Sequence, residues 1–322
     1  MTQEEKTFYQ LEEPIIQLKT QIDELEESED SGNREKIKEL RTRIEKEWTK
    51  IKPRLTPVHI VQIARHPLRP YTLDYLKALT TDFIEFHGDR RAGDDPAIVA
   101  GFGQYRGQTV AFIGHQKGRT TRERIARNFG QPNPEGYRKA LRIMKLAEKF
   151  NFPVVTLIDT PGAYPGIQAE ERGQAEAIAY NLRIISQLKV PVINIVIGEG
   201  GSGGALAIGV GDVILMLEYS FYSVISPEGC AAILWKDQSA VAQAAENLRF
   251  IARDLLKLGI IDKIIPEPPG GAHVDWAQTF RNVDRYLQST LKRLREREVK
   301  TLLEERYQKF RQIGVFEEKK SG

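Results

Sequence analysis

Between residues 152 and 220 the chain repeats one unit: an unbroken apolar run, a glycine-rich loop, then a segment with helical patterning. FPVVTLID passes into TPGAYPG and on to AEERGQAEAIAYNLRIISQLK, and VPVINIVIG passes into EGGSGG and on to ALAIGV before VILMLEYS starts another apolar run. Strands without polar alternation are buried on both faces, and the helices between them carry the chain from one parallel strand to the next. The pattern predicts an α/β chain built on a parallel, helix-covered sheet. It also confines the chemistry, because in such a sheet the strand-to-helix loops emerge at one carboxyl edge and can line one cleft.

The flanking sequence supplies what surrounds that sheet. PAIVAGFGQY and TVAFIGHQ read as paired strands across a turn at Gly107. Pro134 and Glu135 open the helix EGYRKALRIMKLAEKF, and Pro70 and Thr72 mark the start of a helix over Tyr71 to Ile84. Farther upstream, Ile15, Leu18, Ile22 and Leu25, then Ile37, Leu40, Ile44, Trp48 and Ile51, recur at three-four spacing, with Gly32 in the turn between. An antiparallel helical hairpin follows, whose narrow apolar stripes need the main domain or another chain to cover them. After YSVISPEG come helices AAILW and AVAQAAENLRFIARDLLKLG, then IIDKIIPEP, then a last helix from about Asp275 to Ile313, with KRLREREVK as a solvated face. The predicted organisation is a hairpin over 1–55, a core over 56–270 and a C-terminal helical extension over 271–322.

Charge and cysteine count narrow the function classes. Forty-seven basic against 44 acidic side chains leave only +3, so the whole-molecule field does not favour nucleic acid. The single Cys230 closes no internal disulfide, and His59, His66, His87, His115 and His273 lie scattered without the spacing of a structural zinc site. A reducing compartment and no intrinsic metal are expected. The acidic start MTQEEKTFYQLEE lacks the pattern of an export or transit signal. The apolar stretch 190–217 is interrupted by glycines, Glu199 and Asp212, too often for a ~20-residue membrane helix. A soluble cytoplasmic protein is expected, with neither membrane nor nucleic acid as partner.

The segment GEGGSGGA, Gly198 to Ala205, is the strongest chemical signal. Glycine permits close backbone approach, and a helix start leaves amide N–H groups free. Three readings compete. A phosphate cradle lacks the Lys-Ser/Thr of a P-loop, and a forced G-x-G-x-x-G lacks its later acid. Gly200-Gly201-Ser202-Gly203-Gly204 also satisfies the nucleophile-elbow pattern, which would draw on His273 with Asp212 or Asp262. The third reading is an oxyanion hole made by the Gly203, Gly204 and Ala205 amides with no nucleophile. In the companion loop DTPGAYPG, Asp159 could serve as a base, yet an Asp at a strand end before Thr-Pro-Gly more often satisfies loop amides. Arg172 opposes the dipole of the helix it begins and is therefore a candidate anion ligand, as is Lys117 in the basic segment that continues through Arg119, Arg122, Arg124 and Arg127.

GHQKGR, RNFGQPNPEGYRKA, IDTPGAYPGIQAEERGQ, VIGEGGSGGALAIGVGD and YSVISPEGCAAILWK, with ARHPLRPYTLDY upstream and IPEPPGGAH downstream, closely resemble the carboxyltransferase α subunits of multisubunit acetyl-CoA carboxylase. The resemblance spans about residues 10 to 313. It implies a crotonase-like (ClpP/crotonase) ββα superhelix and an α2β2 heterotetramer with a carboxyltransferase β subunit. The implied reaction moves CO2 from carboxybiotin, on biotin carboxyl carrier protein charged by biotin carboxylase, to acetyl-CoA, giving malonyl-CoA for fatty acid biosynthesis. Carried onto this chain, Gly203, Gly204 and Ala205 would hold the biotin ureido oxygen. Gly162, Ala163, Tyr164 and Gly166, with Gly201 and Ser202, would shape the carboxybiotin wall, and Arg172 or Lys117 would orient the carboxylate. No covalently bound cofactor is implied, and zinc is expected only on the β subunit, which carries the four-cysteine ribbon this chain lacks.

Overall fold

Unbroken apolar runs along the central strands dictate two buried sheet faces, and the computed structural model, which describes residues 7–28 and 31–314, has both. Its elements are α1 (Phe8–Glu27), α2 (Arg34–Ile51), α3 (Pro57–Ala64), α4 (Thr72–Leu79), β1 (Thr81–Glu85), β2 (Ile98–Tyr105), β3 (Gln108–His115), α5 (Thr121–Ala126) and α6 (Pro134–Lys149). There follow β4 (Val154–Thr160), α7 (Ile167–Glu171), α8 (Gln174–Ile185), β5 (Val192–Gly201), α9 (Ser202–Leu206), β6 (Val213–Leu217) and β7 (Phe221–Ser223). The chain ends in α10 (Pro227–Leu234), α11 (Val241–Leu248), α12 (Ala252–Lys257), β8 (Lys263–Ile265), α13 (Trp276–Arg295) and α14 (Val299–Arg311). Parts of the predicted terminal elements, residues 1–6 and 315–322, and part of the hairpin turn, 29–30, lie outside the described residues.

The sheet runs β1-β2-β3-β4-β5-β6-β8, with β7 paired to the end of β5. It is mixed: β1, β2 and β3 are antiparallel, and from β3 onward every pairing is parallel. On one face Ile113, Ile158, Val196 and Met216 meet α6, α8 and α12 through Ile143, Met144, Ile185 and Leu255. On the other, Phe112, Leu157, Ile195 and Leu215 meet Tyr75 and Leu76 of α4 and Val283, Leu287 and Leu291 of α13. The C-terminal extension therefore shares the cover of one sheet face with α4. The hairpin packs as the periodicity requires, with Ile15, Leu18, Ile22, Leu40, Ile44 and Trp48 against Ile60, Ile63, Phe250 and Val274.

Four boundaries differ from the sequence reading. The helix predicted over Tyr71 to Ile84 stops at Leu79, and Thr81–Glu85 forms the edge strand β1, entered through Asp82 at φ 52°. The helix over 169–189 is two, because Gly173 stands at φ 84° between α7 and α8. The long C-terminal helix breaks after Arg295, and α14 starts from Glu298 as an extended N-cap. The helix after the glycine loop begins inside it, at Ser202, and ends at Leu206.

Candidate functional site

The carboxyl ends of β4 and β5 are neighbours, pairing Thr160 with Gly200, so the loops that follow them meet. Thr160 folds the first loop: its hydroxyl donates to the Gly130 carbonyl (2.6 Å) and accepts the Gly162 amide (3.0 Å). Tyr164 donates its N–H to the Pro132 carbonyl (3.0 Å), and its ring lies where a side chain on Gly166 would have to go. The second loop presses on the first. A Cβ on Gly204 would collide with the backbone of Gly162 and Ala163, and one on Gly201 with the Pro161 carbonyl. Gly203 has room, with Ile178 Cδ1 3.6 Å from a Cβ placed there. The structure thus brings together Gly162, Ala163, Tyr164, Gly166, Gly201, Ser202, Gly203, Gly204 and Ala205, as the sequence anticipates.

Because α9 starts at Ser202, its first-turn amides are those of Ser202, Gly203 and Gly204, the N–H groups an α-helix leaves without an internal acceptor. Ala205, the fourth residue, is where internal hydrogen bonding begins. Ser202 is exposed and Gly203 half-buried, while Gly204 and Ala205 are buried, so the helix opens toward the surface only at its first two residues. Two amide donors there, in a rigid setting, can stabilise an oxyanion.

The hydrolase constellation is not assembled. Ser202 adopts φ 52°, as an elbow residue can, but its required partners are engaged elsewhere. His273 Nε2 lies 2.8 Å from Glu12, Asp212 is gripped by Arg306 at 2.7 and 2.8 Å, and Asp262 accepts from the Ile214 amide (2.7 Å) and pairs with Lys309.

The two candidate anion ligands are both ion-paired. Arg172 Nε donates to Glu135 (2.9 Å) and its Nη2 to Asn133 (3.2 Å), which ties the start of α8's approach to the start of α6; its side chain stays 39 % exposed at the rim. Lys117 lies deeper. Its Nζ donates to Asp159 Oδ1 (2.7 Å) and Glu199 Oε2 (3.2 Å), and Asp159 Oδ1 also accepts the Glu199 amide (2.9 Å), as the reading of Asp159 predicted. Arg65 continues the chain of charges, from Glu199 Oε1 (2.7 and 2.9 Å) to Glu228 of α10 (2.8 Å). Burial disfavours the Lys117 ammonium, but Asp159 and Glu199 outweigh it and raise its pKa; burial likewise opposes the Glu199 carboxylate, which Lys117 and Arg65 hold below the usual range. Sequence reasoning passed over Glu199 and Arg65. The available signal was Glu199 itself, a charge embedded in an otherwise apolar strand.

Beneath the loops, His115 is fully buried and kept neutral, its pKa pushed down to about 3 mainly by burial. Its Nδ1 accepts the Asp159 amide (3.4 Å).

Away from the loops, Glu12, His66 and His273 place three ligand-type atoms within 4.8 Å of one another, which the scattered histidines in the sequence did not suggest. The carboxylate takes both imidazoles, at 2.8 Å from His273 Nε2 and 3.4 Å from His66 Nε2, and the rings stack at 3.9 Å. Burial pushes the Glu12 carboxyl up, but the two imidazoles hold it below its usual range. His66 Nδ1 accepts the Leu68 amide (3.3 Å), so its proton sits on Nε2, and His273 Nδ1 has no acceptor. A metal on either Nε2 would drive the proton to an Nδ1 that cannot donate it. The trio suits two N–H donors sharing one carboxylate.

A family model described as acetyl co-enzyme A carboxylase carboxyltransferase-like matches residues 8–314. Acetyl-coenzyme A carboxylase carboxyl transferase subunit alpha of Nitrosospira multiformis is 55 % identical over 98 % of this chain and 98 % of its own length, and that of a Geobacillus species is 56 % identical over 95 % of each. Among solved structures, transcarboxylase 12S with methylmalonyl-coenzyme A bound superposes with TM-score 0.59 at 20 % identity; the match covers 79 % of this chain but 44 % of that one. A Pseudomonas malonate decarboxylase hetero-tetramer in complex with coenzyme A superposes with TM-score 0.58 at 16 % identity, over 72 % of this chain and 90 % of that one. These likenesses establish the crotonase-like α/β fold. With near-complete coverage by the family model and by relatives of more than half identity, the chain belongs to the acetyl co-enzyme A carboxylase carboxyltransferase family.

Proposed function

We propose that this chain is the α half of a carboxyltransferase that moves CO2 from carboxybiotin to acetyl-CoA, forming malonyl-CoA in fatty acid biosynthesis. The observation that carries the reading is the interlock of the two glycine loops, which sets the first-turn amides of half-buried Gly203 and buried Gly204 where α9 meets the Gly162–Ala163 backbone, with no nucleophile–base pair beside them. The reaction needs that and little more. Carboxybiotin loses CO2 by cleavage of its N–C bond, and the electron pair stays on the ureido group as an anion centred on oxygen and nitrogen. Donors at the oxygen lower the energy of that anion. The anion then takes the α proton of the thioester, and the resulting carbanion adds to CO2, so biotin ends protonated and no protein base is consumed. Gly203 and Gly204 hold the ureido oxygen, while Ala205, fully buried at the point where internal bonding of α9 begins, is not among the donors. Gly162, Ala163, Tyr164, Gly166, Gly201 and Ser202 form the wall beside it, and Arg172, at the rim, orients the incoming carboxylate.

The partner in this reading is a carboxyltransferase β subunit in an α2β2 assembly. It supplies the acyl-CoA side and carries the zinc ribbon, with biotin carboxyl carrier protein delivering the biotin and biotin carboxylase recharging it. In support, the segments that follow β3, β4 and β7 expose Ile125, Phe129, Ile167, Val224, Ile233 and Leu234, large apolar side chains that a partner subunit would cover. The hairpin over 1–55 and the extension over 271–322 serve as assembly elements around the core. No helix among the described residues is long and apolar enough to cross a membrane, in keeping with a cytoplasmic complex. The test is malonyl-CoA-dependent carboxylation of free biocytin by this chain alone and with the β partner. Activity in the mixture only is expected; association without activity would leave a structural subunit, and no association would remove the reading.

A further inference from the structure

Lys117, Asp159 and Glu199 have no part in the reaction as derived. Their placement is nevertheless specific. Lys117 lies two residues beyond β3, Asp159 at the end of β4 and Glu199 near the end of β5, so one ammonium joins the carboxyl ends of three adjacent strands. Two glycines make room for it: a Cβ on Gly198 would stand 2.6 Å from Asp159 Oδ1, and one on Gly130 2.7 Å from Lys117 Cγ. The Lys117 side chain is 14 % exposed and the two carboxylates 4 and 5 %, so the trio sits below the surface that a substrate would touch.

We propose that Lys117 is a positioning residue for carboxyl transfer, which by clamping Asp159 to Glu199 sets the spacing between the Gly162–Ala163 wall and the Gly203 and Gly204 amides. This deepens the carboxyltransferase reading and rests on it. It also replaces the assignment of Lys117 as a ligand of the substrate carboxylate, because both acids already take its ammonium. Removing the ammonium would leave two carboxylates in one buried site with only Arg65, on Glu199, to balance them, which drives one of them toward taking a proton. The other charged or titratable groups acting on the trio are Arg65, Arg69, Tyr71, Tyr75, His115 and, through Arg65, Glu228. Of these only Arg65 directly bonds either carboxylate, so a proton shared between Asp159 and Glu199 is the remaining way to restore their approach. Acid should therefore repair a variant that lacks the lysine.

The experiment compares wild type, Lys117→Met and Lys117→Met/Glu199→Gln, each in complex with the β partner, by malonyl-CoA-dependent biocytin carboxylation between pH 6 and 8.5. Lys117→Met is expected to lose about a hundredfold in kcat at pH 8, the scale of a small misplacement of catalytic groups, with KM for malonyl-CoA and biocytin little changed. It should regain about tenfold relative to wild type at pH 6.5, and the double variant should regain about as much at pH 8, since it carries no surplus charge. A raised KM without rescue by acid or by the second substitution would make Lys117 an anion ligand after all and overturn the proposal, as would full activity in Lys117→Met. If the single variant fails to copurify with its partner, the double variant decides. Its copurification with about a tenth or more of wild-type activity supports the clamp, and its inactivity overturns it. An inactive wild-type mixture would instead sink the carboxyltransferase reading itself, a result visible before any variant is compared.

Discussion

Gly204 shows why identity at one position outweighs its neighbours. From sequence, a glycine here reads as close backbone approach beside a free amide, and in the structure the missing side chain is what lets α9 touch the Gly162–Ala163 backbone. Gly204→Ala should therefore part the loops and lower transfer by about a hundredfold or more, the scale seen when an oxyanion donor is lost. Gly203→Ala, which meets only Ile178 at ordinary contact distance and keeps its amide, should retain about a tenth or more of the rate. Steady-state biocytin carboxylation by the two variants checks both. A fluorophosphonate probe should leave Ser202 unlabelled, since neither His273 nor Asp212 nor Asp262 is free to activate it; stoichiometric labelling would restore the hydrolase. The glycines and their loop were legible because backbone needs leave few choices of residue. Lys117 was legible as a charge but not as a clamp, since Asp159 and Glu199 reach it only through strand adjacency, which is a property of the sheet.

Elements were readable where apolar periodicity was strong and misread where one residue's φ decided the outcome. β2 to β6 and α6 stand close to where their patterns put them, whereas β1 was absorbed into a helix because TTDFIE is short and its turn hangs on Asp82 at φ 52°. The polar surface of the last helices was legible too, but Arg306 within it was not. It is 1 % exposed, grips Asp212 through two bonds and donates to the Ile185, Leu188 and Val190 carbonyls, pinning α14 under the sheet. Arg306→Ala strands the Asp212 charge and should cost about 3–5 kcal/mol, while Lys292→Ala on the exposed side of α13 should stay within about 0.5 kcal/mol, both read by chemical denaturation. The start of α6 depends on Asp95, which accepts the Ala97 and Asn133 amides and whose carboxyl burial raises to about 6. A folded pKa above the unfolded one means that the native chain binds the proton more tightly, so this contribution is full below about pH 4 and lost as pH rises through 6. Relative to Asp95→Asn, the wild type should gain about 1 kcal/mol between pH 7 and pH 5 in denaturation experiments.

At the scale of the whole molecule, the sheet is enclosed by helices from both ends of the chain, and the two ends are joined to each other as well. Glu12 of α1 sits between His66 and His273, Phe8 packs edge-on to His273 at 6.1 Å, and Ile15 shares a cluster with Val274. During synthesis α1 emerges well before Phe250, His273 and Val274, which complete the cover that α2, Ile60 and Ile63 begin. For on the order of tens of seconds, at ordinary elongation rates, part of the buried face of α1 waits uncovered, and it can close fully only after residue 274 has emerged. The same carboxylate that finishes the fold therefore also times it: a nascent chain stalled short of His273 should keep α1 open to protease, and one stalled well beyond it should not.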